Sequence, residues 1–199
     1  MTKKTNGSSF QRGFKSWCEN VSLQHRKEMS LQPIDPIDPR ALAGKLGVIV
    51  WKADEVPEIA QKTLEVLTKD DPESWSAMTL CGEGKNLIVL NPANSPGRMN
   101  SDLTHELSHI IIGHEAGRVD VTPDNLLMLR NFNKEQEEEA NWLAGCLLLP
   151  RPALLHIRKK GLDNVSVKKM YGVSGSMFDY RMRMTGVDRQ LSRTRVSMY

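Results

Sequence analysis

The segment Leu103-Thr-His105-Glu106-Leu-Ser-His109-Ile-Ile-Ile112 places two histidines four residues apart, with a glutamate directly after the first. On a helix that spacing turns only about 40°, so His105 and His109 project side by side and can grip one ion. Glu106 falls on the adjacent flank, where its carboxylate can reach a water without itself being a ligand. Leu103, Leu107, Ile110, Ile111 and Ile112 surround the motif, which predicts a largely buried helix. Burying two imidazoles and a carboxylate there is costly unless something pairs with them. The chemistry this pattern suits is metal-assisted hydrolysis, in which zinc lowers the pKa of a water towards ~7 and a carboxylate takes its proton.

Such a site needs a third protein ligand and an open position. The extended H-E-x-x-H-x-x-G-x-x-H arrangement is excluded, because residue 112 is Ile where Gly is required and residue 115 is Glu where His is required. His114 is nearby but lies about 140° around from His109 if the helix continues. Cys81 and Cys146 lack metal-ligand spacing. That leaves the carboxylates of Asn133-Lys-Glu135-Gln-Glu137-Glu138-Glu139-Ala-Asn141, at the start of a second amphipathic segment. Its apolar stripe is Ala140, Leu143, Ala144, Leu147 and Leu148, and Glu137 falls in line with it, together with Asn141. Glu139 is 200° away from Glu137 and projects from nearly the opposite side, and Glu135 lies on another face. Glu137 is therefore the expected third ligand. One turn on, the Asn141 amide is placed to orient a ligand imidazole.

The elements that must position these groups are legible as periodicity. Phe10, Phe14, Trp17, Val21 and Leu23 predict a first amphipathic helix, and residues 1–30 read as an N-terminal helical arm. Residues 31–199 read as a single domain. Asp38 and Pro39 predict an N-cap and first turn for a helix over 40–46 that ends at Gly47. Val48–Trp51 reads as a strand and residues 56–68 as a helix. Two β-type runs, 75–80 and 86–90, flank a Gly-containing loop and predict a hairpin. Strand 86–90 is the expected edge for an extended substrate. Helical patterns over 98–115 and 134–148 and a basic helical tail follow. This order predicts an α+β fold, a small β-sheet with an edge hairpin packed on a helical bundle, with the H-E-x-x-H motif on a central helix.

Composition bounds the function class. The chain has 199 residues and a net charge of +3, which suits one domain with a real core. Residues 1–30 hold six Lys/Arg against two Asp/Glu and residues 151–199 hold eleven against three, so the middle is acidic. A basic tail raises nucleic-acid contact as a possible role for the C-terminal segment. No apolar run approaches the ~20 residues that cross a bilayer, and Met1–Phe10 lacks the apolar stretch of a secretory signal. Three scattered cysteines fit reduced thiols, so the expected compartment is the cytoplasm.

Three pieces together resemble the ImmA/IrrE family of metallo-endopeptidases. They are Ser101-Asp-Leu-Thr-His-Glu-Leu-Ser-His-Ile-Ile-Ile-Gly-His114, Glu137-Glu-Glu-Ala-Asn-Trp-Leu-Ala-Gly-Cys-Leu-Leu-Leu-Pro150, and Tyr171-Gly-Val-Ser174 with downstream Arg181. The second piece carries Leu143 where Phe is usual in the family and Leu149 where Met is usual. The resemblance implies a gluzincin-like, zincin-type domain with zinc on His105, His109 and Glu137 and with Glu106 as general base and acid. It also implies cytosolic action on a protein substrate, a helix-turn-helix repressor, relieving repression. Tyr171 and Tyr180 are the tyrosines considered for oxyanion stabilisation. The competing reading takes Val165–Arg183 as a helix-turn-helix and the protein as a DNA-binding or metal-sensing regulator without turnover. Against DNA reading, Met177, Tyr180 and Met184 stand at core-like spacing.

Overall fold

The structure is a computed structural model that describes residues 10–82, 84–114, 118–121, 127–130 and 133–196. Between 118 and 130, and from 193 onward, it describes the backbone alone. Residues 1–9 of the expected N-terminal arm and Glu115, at the end of the expected 98–115 segment, lie outside the described residues.

Helix α1 spans Phe14–Glu28. After the proline-rich stretch, Asp38 caps α2 (Pro39–Lys45) by accepting the Arg40 amide at 3.0 Å, with Pro39 in the first turn. Gly47, at φ 70°, then turns the chain into strand β1 (Val48–Lys52). The expected helix over 56–68 is shorter. A 3-10 turn at Ala53–Glu55 leads to extended Val56, and α3 covers only Gln61–Glu65 before a π-helical segment, Val66–Asp70. Pro57 keeps Val56 extended, and Glu58, at φ 59°, breaks the helical path again before α3 begins. Strands β2 (Ala77–Gly82) and β3 (Lys85–Leu90) form the hairpin.

The sheet order corrects one expectation. Strand β3 is central, parallel to β1 on one side and antiparallel to β2 on the other. Segment 86–90 therefore has both its hydrogen-bonding rows taken, and the hairpin contributes its edge through β2. The register puts Val50, Ile88 and Thr79 in one row, with Val48 and Leu90 on the same face. That face is apolar where it is covered: Ile88 and Leu90 are buried with Leu103 and Leu107 of helix α4 (Pro96–Ile112). Ser95 caps α4, and Ser101, Thr104 and Ser108 return their hydroxyls to carbonyls four residues back, so these polar groups are satisfied inside the core.

Beyond α4 come a backbone hairpin, β4 (Arg118–Val121) with β5 (Leu127–Arg130), and then helix α5 (Lys134–Leu148). Asn133 caps α5 through the amides of Glu135 and Gln136. From Ala140 onward α5 is buried except for Asn141. Its C-terminal carbonyls, which have no partner within the helix, are taken by buried side chains. Ser22 donates to Cys146 O at 2.6 Å, Arg26 to Leu147 O at 2.7 Å, and Arg181 to Leu149 O at 3.0 Å. Cations at a helix C-terminus also meet the negative end of its dipole. Burial lowers the Arg26 pKa to about 10, against weaker support from Tyr171, Glu19 and Asp35.

This capping explains why α1 buries Cys18, Ser22 and Arg26, whereas Trp17 stays 40% exposed, contrary to the apolar stripe read from its sequence. It also explains Gly145. A Cβ there would come within 2.4 Å of the Arg181 side chain as it crosses α5.

Four helices complete the chain: α6 (Arg151–Lys160), α7 (Asn164–Tyr171), α8 (Gly175–Thr185) and α9 (Val187–Val196). The residues α8 buries are Phe178, Arg181 and Met182. The architecture is a mixed α+β one, mostly helical with a small three-stranded sheet. Among the described residues no helix is long and apolar enough to cross a membrane.

Candidate metal centre

Helices α4 and α5 pack against each other along the faces that carry the polar motif. Three side chains converge between them. His105 Nε2 lies 3.1 Å from Glu137 Oε2, His109 Nε2 lies 3.0 Å from His105 Nε2, and Glu137 Oε1 lies 3.5 Å from His109 Nε2. These three residues form the metal-capable cluster found among the described residues. Around a tetrahedral zinc with bonds of about 2.0–2.1 Å, adjacent donors are separated by roughly 3.3 Å. The observed separations bracket that value, so the donor set fits such an ion in both type and spacing.

The outer edges of the rings decide which nitrogen is free. His105 Nδ1 lies 3.1 Å from Asn141 Oδ1. An amide oxygen only accepts, so Nδ1 carries the proton and Nε2 presents a lone pair to the cluster. Asn141 sits where the helical phase of Glu137 puts it. His109 is held neutral by its surroundings: burial first, then the neighbouring His105 and His114, lower its pKa to about 4. Two imidazole nitrogens and a carboxylate gathered this closely form a donor set suited to holding a cation.

Glu106 leaves α4 towards the sheet, where Thr79 Oγ1 donates to its Oε2 at 2.5 Å. Thr79 occupies the same row of β2 as buried Ile88 of β3, and this places its hydroxyl under α4. Nothing local in the sequence marks Thr79. Its role depends on strand register relative to a distant helix. Oε1 of Glu106 is left for other partners.

His114 departs from expectation. The helix does not continue to it. Gly113, at φ 79°, closes α4, and the His114 amide turns back onto His109 O at 3.0 Å while Gly113 N meets Ile110 O at 3.2 Å. This double closure is the Schellman arrangement that glycine permits. It sets His114 Nδ1 2.9 Å from His109 Nδ1, and His114 Nε2 3.1 Å from Glu139 Oε2. Glu139 therefore does not project away from the site. The 200° between Glu137 and Glu139 still holds, but the chain leaving α4 reaches around to the second face of α5.

A cleft of about 910 Å³ opens beside His105, Glu137 and Asn141. Its far wall includes Met177, Tyr180 and Met184 of α8, the residues whose spacing suggested a core stripe. Met177 and Tyr180 pack against the core while also lining the cleft, whereas Met184 is 41% exposed. Asp102, also on the wall, has its pKa raised, chiefly by burial. Tyr180 borders the cleft. The hydroxyl of buried Tyr171 is committed elsewhere, donating to Ile34 O at 2.9 Å.

Comparison with curated proteins returned no significant match. Among solved structures, a Mycobacterium tuberculosis transcriptional regulator superposes with a TM-score of 0.51 at 13% identity. The match covers 84% of this chain and 46% of that one. At that identity the likeness is one of fold, and this chain spans about half the length of its neighbour. The profile of the IrrE N-terminal-like domain, Peptidase_M78, matches residues 61–183, a stretch that holds the sheet hairpin, both histidines, Glu137 and most of α8, and by that match the chain belongs to this metallopeptidase family.

Proposed function

We propose that the chain is a zinc-dependent endopeptidase, with His105, His109 and Glu137 as metal ligands and Glu106 as general base and acid. The observation that carries this reading is the convergence of two imidazole Nε2 atoms and one carboxylate within 3.5 Å of one another. The zincin-like description of the helical bundle belongs to the same reading. When bound, zinc would supply Lewis acidity to an attacking water and to the scissile carbonyl. The chain's own residues do the rest. Thr79 holds Glu106 Oε2, so Oε1 is the atom that accepts the proton of the attacking water and later returns it to the leaving amine. Asn141 keeps His105 in the tautomer that leaves Nε2 free. An extended peptide would add to the free side of β2 and cross the cleft towards α8. Tyr180 is the remaining tyrosine for oxyanion support, since Tyr171 is engaged with Ile34.

The substrate we propose is a helix-turn-helix repressor in the cytosol, cleaved to relieve repression. The unpaired state of Cys18, Cys81 and Cys146 supports a reducing compartment. The alternative, DNA reading by α7 and α8, has a cost: Ser174, Ser176, Met177 and Tyr180, at the start of α8, line the cleft beside His105. The test is co-expression with helix-turn-helix repressors. The wild-type chain should cut its substrate, and Glu106→Gln should leave it intact while retaining stoichiometric zinc. Equal cleavage by both chains would remove Glu106 from the mechanism. A retarded generic DNA fragment without any peptide-bond cleavage would favour the regulator.

A further inference from the structure

We infer that His114 and Glu139 are positioning residues for the metal ligand His109, acting as a one-directional hydrogen-bond relay. The inference rests on the proposed zinc site and extends it to residues that do not touch the ion. The direction follows from donor and acceptor types. The Glu139 carboxylate can only accept, so His114 Nε2, 3.1 Å away, carries a proton and donates it. As a metal ligand through Nε2, His109 can carry its proton only on Nδ1, so His114 must present its lone pair from Nδ1. The partner of that lone pair is His109 Nδ1 at 2.9 Å, which must therefore be the donor. With its proton on Nδ1, His109 turns a lone pair outward from Nε2, into the cluster with His105 and Glu137. His105 reaches the same state through Asn141 alone. The two ligands are thus oriented by different devices: an amide for one, and an imidazole backed by a carboxylate for the other.

Burial and backbone geometry make the relay a built feature. The His114 side chain is 6% exposed and Glu139 is 22% exposed. The ring of His114 meets that of His109 edge-on, with centroids 5.0 Å apart. The left-handed Gly113 and the paired closing hydrogen bonds aim His114 back along α4. Carboxylate–histidine support of a ligand imidazole fixes its tautomer and raises its basicity, and removing such support typically costs 10–100-fold in metal affinity.

The experiment measures zinc affinity by competition with a chromophoric chelator, alongside proton NMR of the imidazole N–H groups in the zinc-loaded chain. His114→Ala should weaken zinc by about 10–100-fold. It should also abolish the solvent-protected His109 Nδ1–H resonance expected of the wild type. Glu139→Ala should move both readouts the same way by several-fold. Glu139→Gln, which keeps an oxygen acceptor for His114 Nε2–H, should restore affinity to near wild type. That rescue separates orientation from packing, and the Glu139 pair decides the matter even if His114→Ala fails to fold. Zinc affinities within twofold of wild type for both alanine variants would overturn the relay, as would a Glu139→Gln chain as weak as Glu139→Ala. A wild-type chain that holds no zinc would overturn the metallopeptidase reading and the relay's purpose with it. A wild-type chain that holds zinc beside unaffected variants would overturn the relay alone.

Discussion

Replacing Thr79 with Val removes one hydroxyl and keeps the side-chain volume and branching that suit a strand. The hydroxyl donates to Glu106 Oε2 at 2.5 Å, and a hydrogen bond to a charged group contributes about 1.5–3 kcal/mol. At ~1.4 kcal/mol per factor of ten, a complete loss would slow the step that uses Glu106 by roughly 10–100-fold. Glu106 is only half-buried, so water replaces part of the lost bond and the expected fall lies at the lower end, about tenfold. The loss should appear in kcat with KM little changed, because Glu106 acts on the proton in flight and does not hold the peptide. Zinc content should stay stoichiometric, since Thr79 lies outside the cluster formed by His105, His109 and Glu137. The assay is initial-rate cleavage of quenched fluorescent peptides, with Thr79→Ser as the variant that keeps the hydroxyl and the activity. A Thr79→Val chain with kcat within twofold of wild type would refute the view that β2 holds the base in place. A chain that lost its zinc would show that the strand supports the ligands instead.

Glu137→Ala should weaken zinc at least tenfold and abolish cleavage while Glu138→Ala stays near wild type, as read by chelator competition; a zinc-replete Glu137→Ala would show that the third donor lies elsewhere. The metal-free chain should lose stability as pH falls from about 6.5 to about 4. His109 titrates near 4 when folded and near 6.5 when unfolded, so the unfolded chain takes up this proton first. The contribution is fully present above 6.5 and levels off below 4, and urea unfolding should show a steeper slope in wild type than in His109→Gln, where half-buried His25 still contributes in this sense. Arg181→Ala should cost about 1.5–3 kcal/mol, since it removes the buried guanidinium that donates to Glu19 and to the Leu149 carbonyl, while Glu19 keeps the Arg151 amide. Thermal unfolding checks it, and a change below about 1 kcal/mol would mean the α5 terminus is held by Ser22 and Arg26 alone.

Much of the site is written in the chain because it depends on local periodicity. The i, i+4 spacing put His105 and His109 on one side of α4, and the 100° step singled out Glu137 and Asn141 from a run of three glutamates. The cap at Asp38 was legible for the same reason: a short polar side chain meets an amide two residues away. What tertiary structure decided involves partners far apart in sequence. Segment 86–90 became a central strand because β1 enters parallel beside it, and no local signal reports which strand a third one will choose. Thr79 reaches Glu106 only through that register. The inward line of α1 proved polar because it meets the bare carbonyls at the end of α5. The helical pattern was read on to 115 although Gly113 closes α4, and where His114 then lands, like its pairing with Glu139, depends on the face α5 turns towards it. Helix phase is a property of one segment, whereas register and the meeting of two helix faces are set by the burial of whole surfaces against each other.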